Sequence, residues 1–269
     1  MARSDWVTVG AFAVLVHVIA VLTHEALGHG GACLLMGCTP RLVTTMDFLG
    51  DESALSHWAV RVVAAGGTIA NLLVASLTLL LLGRRKQAAT GRAWFFLWLL
   101  ATVNLLQASG YLLYSGIMNI GDWSDVVRGF APAWFWRVAL SVIGAYTYWM
   151  AVKWSMRQLG KRLGVSSDAR VADAYRYTLV AYFAAGCLEL MAGFREPGGA
   201  VIVLMSGVAA SFGGTSGLVW GPQLLRDRRF AAPRGEPLLL TRNWLTILAA
   251  AIAGALFIIV LGPGVRLHS

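Results

Sequence analysis

The sequence predicts an all-α fold, a polytopic membrane helix bundle with six to seven transmembrane helices. Three observations support this prediction. The 269 residues are 58% hydrophobic and only 13% charged, with a mean hydropathy of +0.67, whereas soluble domains average about 25% charged residues. Apolar runs of about 20 residues, the length that crosses a bilayer, recur along the chain. Lysine and arginine concentrate in alternate segments between those runs, a topology signal of membrane proteins.

Seven apolar runs are long enough to be predicted as spans. They cover residues 6–28, 58–82, 94–114, 134–154, 175–194, 199–221 and 243–261. A tryptophan lies close to at least one end of most runs, as expected for rings that prefer the headgroup layer. The first run is followed by no small-residue cleavage site, so we expect a retained span rather than a signal peptide.

The basic residues predict an orientation. They cluster in three connecting segments, at about residues 84–92, 153–176 and 226–242, and such segments are normally cytoplasmic. With seven spans, the N-terminus is then inside and the C-terminus outside. We expect a multi-pass protein of a bacterial inner (cytoplasmic) membrane, with the lipid bilayer as its surroundings. The net charge of +9 is explained by this topology, and nucleic acid is not an expected partner.

The three cysteines are Cys33, Cys38 and Cys187. They are too few for a disulfide framework, and no CxxC pair suggests a zinc ribbon or a redox site. We therefore expect small helix-packing residues at all three positions.

The end of the first span carries "HEALGH", in which His24 and Glu25 are followed by His29. Metal-hydrolase helices normally carry their histidines four residues apart. At five residues apart on a regular helix, two side chains diverge by about 140°. A π-type turn brings them nearly back into line, and Gly28 has the backbone freedom to allow one. A carboxyl at membrane depth is costly, so Glu25 is itself a functional hint.

Two later segments extend this pattern. The second span contains "AAGGTIANLLVA", residues 64–75, with Asn71 as its polar residue. The third span ends in "NLLQASGYLLYSGIMNIGDW", residues 104–123, which contains Asp122. On the predicted topology, the polar ends of the first and third spans both lie on the outer side of the membrane.

Taken in order, the three segments resemble the site-2 protease family of intramembrane zinc metallopeptidases. That family carries HExGH, then a hairpin-like stretch, then AGPxAN, then a later segment that supplies an Asp ligand. The resemblance covers residues 10–125 and implies Zn²⁺ as the cofactor. Its ligands would be His24, His29 and Asp122, with Asp125 as the alternative to Asp122.

The resemblance also implies a reaction. Two imidazoles and one carboxylate leave a position open for water, as in catalytic zinc sites. Glu25 would take a proton from this water and pass it to the leaving amine. The substrate would be a peptide bond of a membrane protein or peptide. Asn71 would hold the substrate backbone or the oxyanion, although a helix–helix hydrogen bond is the alternative role.

The resemblance divides the chain into a metallopeptidase-like membrane core of three spans, residues 1–125, and additional transmembrane helices of unassigned role, residues 126–269. Three features depart from the family pattern: one extra residue separates the histidines, Thr68 replaces the Pro, and the spacing from Asn104 to Asp122 is long, with no Pro between them. The departures favour an alternative, a non-proteolytic membrane protein on a related fold that serves as a metal-binding scaffold or a transporter. The substrate and the oligomeric state are not determined by the sequence.

Three further polar features lie within the spans. For Glu189 we expect one of three positions: its carboxylate faces the cavity, pairs with Arg195 or reaches toward the headgroups. His17, seven residues before His24, is expected to be a packed helix histidine. The segment "SFGGTSG", residues 211–217, is typical of close helix packing, with a hinge as the alternative.

Overall fold

The structure, a computed structural model, describes residues 4–84, 91–163, 167–199, 203, 211–227, 230 and 238–267. The chain is mostly helical, which confirms the predicted class apart from one small sheet. Within the described residues, the helices long and apolar enough to cross a membrane are Trp6–Met36, His57–Arg84, Gly91–Met118 and Trp244–Leu261. Four such helices indicate a membrane protein. The larger number, six to seven, stays a prediction, and the predicted span 199–221 lies partly outside the described residues, at 200–202 and 204–210.

The first apolar helix contains three consecutive segments without a break. The α-helix α1 covers Trp6–Leu22, a π-helix covers Thr23–Gly30, and α2 covers Gly31–Met36. We call Thr23–Gly30 the first π-helix. The predicted first span, 6–28, therefore stops short of the observed end of this helix.

The remaining helices follow in chain order. They are α3 (His57–Arg84), α4 (Gly91–Met118), α5 (Asp122–Val127), α6 (Ala133–Gly160), α7 (Ser167–Gly193), α8 (Gly217–Trp220), a 3₁₀-helix (Gly221–Arg226), α9 (Trp244–Leu256) and a second π-helix (Phe257–Leu261). The predicted span 134–154 lies inside α6, and 175–194 coincides with the second part of α7 and extends one residue beyond it. Neither helix is among the four long, apolar ones.

The helices α1 and α9 begin side by side. The Asp5 carboxylate accepts a hydrogen bond from the Thr8 amide at 3.1 Å, which caps α1, and also pairs with Arg242 at 2.8 Å. The Arg242 guanidinium lowers the pKa of Asp5 to about 2. The Asn243 side chain caps α9, and the Asn243 backbone N–H donates to the Thr8 hydroxyl. The two helices thus start at one end of the bundle, the relation that the predicted topology requires of the first and seventh spans.

A three-stranded antiparallel sheet lies at the opposite end of α1. Its strands are β1 (Thr39–Val43), β2 (Phe48–Asp51) and β3 (Val265–Arg266), in the order β2-β1-β3. The strands β1 and β2 form the hairpin that the family resemblance implied after the histidine helix. Because β3 follows the second π-helix, the C-terminal segment is joined to this hairpin.

The main core lies between α1, α4, α6 and α7. Its largest side chains are fully buried and include Phe95, Trp98, Leu106, Met156 and Leu159. The Trp98 indole N–H donates to the Ser155 carbonyl at 3.0 Å, which joins α4 to α6 inside this core. A buried indole N–H needs such a partner, because an unpaired polar group in an apolar interior is costly. The helices after residue 125 therefore pack directly against those of the predicted core.

Cys33 and Cys38 form a disulfide, so the expectation that all three cysteines are packing residues is wrong for these two. The helix α2 ends at Gly37, whose φ of 84° is the left-handed conformation that glycine adopts readily. The Cys38 amide donates to the Cys33 carbonyl, as in a Schellman motif, and this turn brings the two Cα atoms to 4.9 Å. Cys187 is free and exposed.

Glu189 pairs with His17. Arg195, one of the partners predicted from the sequence, is not its partner in the described structure. The Glu189 carboxylate lies 2.5 Å from His17 Nε2, and both side chains are almost fully buried. The pair connects α1 to α7 across 172 positions of sequence. The prediction that His17 is a packed histidine is confirmed, but no local pattern could have identified its partner.

We expect Glu189→Leu to destabilise the protein by about 1–3 kcal/mol, because it leaves the buried His17 ring without its partner. The double variant His17→Leu/Glu189→Leu replaces both polar groups by apolar ones and should recover much of this loss. Thermal unfolding in detergent measures both effects. If the loss of stability in the double variant equalled the sum of the losses in His17→Leu and Glu189→Leu, the assignment of the pair would be contradicted.

Candidate metal centre

The first π-helix brings His24 and His29 together. A π-type turn would align two histidines at this spacing, and the structure contains one over Thr23–Gly30. With the backbone hydrogen bonds running from residue i to i+5, side chains five apart project to one side. The two imidazole centroids lie 4.8 Å apart, and both rings are buried.

Three glycines allow α3 to approach the first π-helix closely. A Cβ at Gly28 would lie 2.5 Å from the Gly67 Cα, and one at Gly66 would lie 2.5 Å from the Gly28 carbonyl oxygen. A Cβ at Gly67 would come within 2.5 Å of the His24 ring and 2.6 Å of His29 Nε2. Gly28 thus serves a close helix crossing, in addition to the backbone freedom for which the sequence singled it out.

Asp122 completes a three-residue cluster. It is the first residue of α5 and follows Gly121, whose φ of 80° turns the chain back toward α3. The Asp122 Oδ2 atom lies 3.0 Å from His24 Nε2 and 3.5 Å from His29 Nε2. Burial by itself would raise the pKa of Asp122. The hydrogen bonds from His24 and His29 lower it by more than burial raises it, so the pKa is well below its usual value. The group is therefore a carboxylate at neutral pH.

Asp125, the alternative ligand, has a different partner. It forms an ion pair with Arg128 on the exposed side of α5. Of the two aspartates, the structure brings Asp122 to the histidines. Asn104, which begins the segment that ends with Asp122 and Trp123, is buried, and its side-chain amide donates to the Leu100 carbonyl at 2.8 Å within α4.

The Thr68 hydroxyl fixes the position of α5. It accepts a hydrogen bond of 2.9 Å from the indole N–H of Trp123, the neighbour of Asp122. Thr68 stands where the family pattern has Pro, and a Pro side chain has no hydroxyl to accept this bond. The departure from the family pattern thus has a local structural role.

We expect Thr68→Val to weaken zinc binding about 10-fold, because it releases the helix that presents Asp122. Chelator competition on the purified protein measures the change. Thr78→Val is the matched control, since Thr78 is a buried threonine of the same helix whose hydroxyl donates to the Val74 carbonyl of its own helix. Equal zinc affinity in the two variants would contradict a positioning role for Thr68.

Each histidine has a defined partner on its second ring nitrogen. The His29 Nδ1–H donates to the Val63 carbonyl at 2.8 Å, which leaves Nε2 free to bind a metal. His24 Nδ1 lies 3.3 Å from the Asn71 side-chain amide. The His24 ring also stacks on Tyr111, with centroids 4.3 Å apart. Asn71 was predicted from the sequence as a site residue, whereas Val63 and Tyr111 were not.

Glu25 is buried next to the cluster and lines a cavity of about 260 Å³. His29 and Asp122 line the same cavity, together with the acidic residues Asp47 and Glu52. Burial raises the pKa of Asp47 to about 6 and also raises the pKa of Glu52. The cavity is large enough for part of a peptide and presents carboxyl groups around its wall.

The cluster fits a divalent metal such as zinc. One ligand atom from each of His24, His29 and Asp122 lies within 4.8 Å of the other two. The two histidine–aspartate separations of 3.0 and 3.5 Å are close to the ~3.3–3.6 Å expected between neighbouring ligands of a tetrahedral ion with bonds of ~2.0–2.2 Å, whereas the cluster as a whole spans up to 4.8 Å. Two imidazoles and a carboxylate are also a ligand set of catalytic rather than structural zinc.

Comparison with known proteins identifies no relative. No protein-family model, curated protein or solved structure matches the chain. The function must therefore be inferred from the site itself.

Proposed function

We propose that the protein is an intramembrane zinc metallopeptidase, similar to the site-2 protease family, that hydrolyses peptide bonds of membrane protein substrates. One observation carries the proposal. The π-helix directs His24 and His29 toward Asp122, and the buried Glu25 lines the same cavity as two of these three residues. A helix with the usual spacing would not need this distortion, and π-turns concentrate at functional sites.

Zinc, when bound, supplies a Lewis acid that acidifies a water molecule and polarises the substrate carbonyl. The chain's own residues handle the proton. The Glu25 carboxylate receives the proton from the attacking water and returns it to the leaving amine nitrogen. Burial of Glu25 keeps bulk water away from this transfer.

The surroundings of the cavity favour an extended peptide as the substrate. The strand β2 lies at one side of the sheet, and its outer edge pairs with no other strand in the described part of the chain. Phe48 of β2 packs against the His29 ring and lines the cavity. A peptide that added to this edge by backbone hydrogen bonds would run past the cluster, as in other strand-addition complexes.

The disulfide supports an extracytoplasmic location for the site. Cys33 lies four residues after His29 in the same helix, and Cys38 adjoins the hairpin. Disulfides persist in oxidising compartments and are rare in the cytoplasm. This agrees with the orientation predicted from the basic segments, with the N-terminus in the cytoplasm of a bacterial cell.

Metal analysis of the purified full-length protein, combined with a cleavage assay, tests the proposal. We expect zinc at one ion per chain, and new termini in reconstituted single-span membrane proteins analysed by mass spectrometry. His24→Ala should remove both. His57→Ala is the control, because His57 is exposed at the start of α3. Cleavage that survives in His24→Ala would overturn the proposal, and zinc binding without cleavage would favour the metal-binding scaffold.

A further inference from the structure

The Asn71 side chain lies between His24 and Gln107 and is fully buried. Its Nδ2 atom is 3.3 Å from His24 Nδ1 and 3.4 Å from Gln107 Oε1. Its Oδ1 atom has no hydrogen-bond partner among the described residues. An amide oxygen without a partner in a buried site is uncommon and needs an explanation.

The observed contacts of His24 imply one tautomer of its ring. When Asn71 Nδ2 donates to His24 Nδ1, the imidazole proton is on Nε2. That proton is then donated to Asp122 Oδ2 at 3.0 Å. A histidine that binds a metal through Nε2 needs a lone pair there, so its proton must be on Nδ1 and must meet an acceptor.

The Asn71 oxygen is that acceptor after a half-turn of the amide. The rotation exchanges Oδ1 and Nδ2, so that the oxygen faces His24 Nδ1–H. Gln107 can make the same half-turn and then donate its own amide N–H to Asn71 Oδ1. Tyr111 stacks on the His24 ring at an interplanar angle of 14°, which holds the ring in place while its tautomer changes.

His29 differs from His24 in this respect. Its Nδ1 contacts the Val63 carbonyl, which accepts and never donates, so His29 always carries a proton on Nδ1, as binding of a metal through Nε2 requires. The two histidines therefore have unequal supports. One is fixed by the backbone of α3, and the other is set by a side-chain amide that can turn.

We propose that Asn71, supported by Gln107, is a positioning residue that selects the metal-binding tautomer of His24 by rotating its amide when the metal enters. This inference rests on the proposed metal centre and deepens it. It differs from a role in holding the substrate or the oxyanion, for which Asn71 would act on the peptide and leave metal affinity unchanged.

Zinc affinity of full-length variants, measured by chelator competition in detergent, tests the inference. Asn71→Leu removes the acceptor and should lower zinc affinity about 10- to 100-fold. Asn71→Asp keeps an acceptor toward His24 Nδ1–H and should bind zinc at least as tightly as the natural protein. Gln107→Leu should lower the affinity less than Asn71→Leu does.

Asn104→Leu is the matched control. Asn104 is also fully buried, its Oδ1 has no hydrogen-bond partner among the described residues, and its side-chain amide donates to the Leu100 carbonyl. Its loss should leave zinc affinity unchanged. A second readout, the ¹⁵N spectrum of labelled histidine in the natural protein, should show the His24 proton on Nδ1 with zinc and on Nε2 without it. This readout holds even if Asn71→Leu fails to fold.

Folded Asn71→Leu that binds zinc as tightly as the natural protein would overturn the inference, as would a His24 proton that stays on the same nitrogen with and without zinc. Either result leaves the proposed peptidase standing. Zinc binding that depends on Asn71, in a protein that cleaves no peptide bond, would overturn the peptidase and leave the inference standing. A natural protein that binds no zinc would overturn both.

Discussion

Glu25→Gln should reduce peptide cleavage by about 10²- to 10⁴-fold, the contribution typical of a general base, while zinc stays bound. The amide has nearly the shape of the carboxylate but cannot accept the proton of the attacking water. Glu25 is not one of the three clustered ligands, so its replacement leaves the metal cluster intact. Cleavage rate and zinc content, measured on the same preparation, separate the two effects.

Glu52→Gln is the matched control for this variant. Glu52 lines the same 260 Å³ cavity but is less buried than Glu25 and belongs to the segment between β2 and α3. It should keep cleavage within a few-fold of the natural rate. If both variants lost activity equally, the cavity's total negative charge would matter, and a specific proton transfer by Glu25 would be refuted.

Gly67→Ala adds one methyl group next to both histidines, and we expect it to disrupt the metal centre strongly. The added Cβ would lie 2.5 Å from the His24 ring and 2.6 Å from His29 Nε2, so one or both rings must move. Overpacking of this kind costs about 1–3 kcal/mol of stability. A displacement of about 1 Å at a reacting centre costs about 10²-fold in rate. We expect zinc content and cleavage to fall together.

Gly83→Ala separates this steric effect from any change in helix propensity. Gly83 is in the same helix, α3, and a Cβ there would meet no atom within 4 Å. Alanine is favoured over glycine inside a helix by about 0.5–1 kcal/mol, so Gly83→Ala should be neutral or stabilising. Thermal unfolding and zinc content of the two variants provide the comparison. Normal zinc binding in Gly67→Ala would show that the close crossing is not needed for the site.

The geometry of the histidine pair was predictable because it is local. His24 and His29 belong to one helix, and their angular separation depends only on the local pitch. A five-residue spacing that must serve one ion therefore predicts a π-turn. The Cys33–Cys38 disulfide was equally local, and the glycine before Cys38 marks the helix-ending turn that brings the two cysteines together. That signal was present in the sequence and was missed.

The choice between Asp122 and Asp125 was not local. Both residues belong to the same short helix, and spacing along the chain treats them alike. The hydrogen bond from Trp123 to Thr68 anchors α5 against α3, and in that position Asp122 meets the histidines while Asp125 pairs with Arg128. The partner of Glu189 was decided in the same way, by the packing of α1 against α7.

By itself, the sequence determined a mostly helical membrane protein, since hydropathy acts within one segment of chain. The five-residue histidine spacing indicated that both rings could meet one ion only through a π-type turn. Only the tertiary structure decided which aspartate joins the histidines, which groups contact the Nδ1 atoms of the two histidines and which ring stacks on His24. Val63, Asn71 and Tyr111 reach the two rings across 34 or more positions of sequence, from α3 and α4. Such contacts depend on how closely helices cross, and at this site three glycines set that distance.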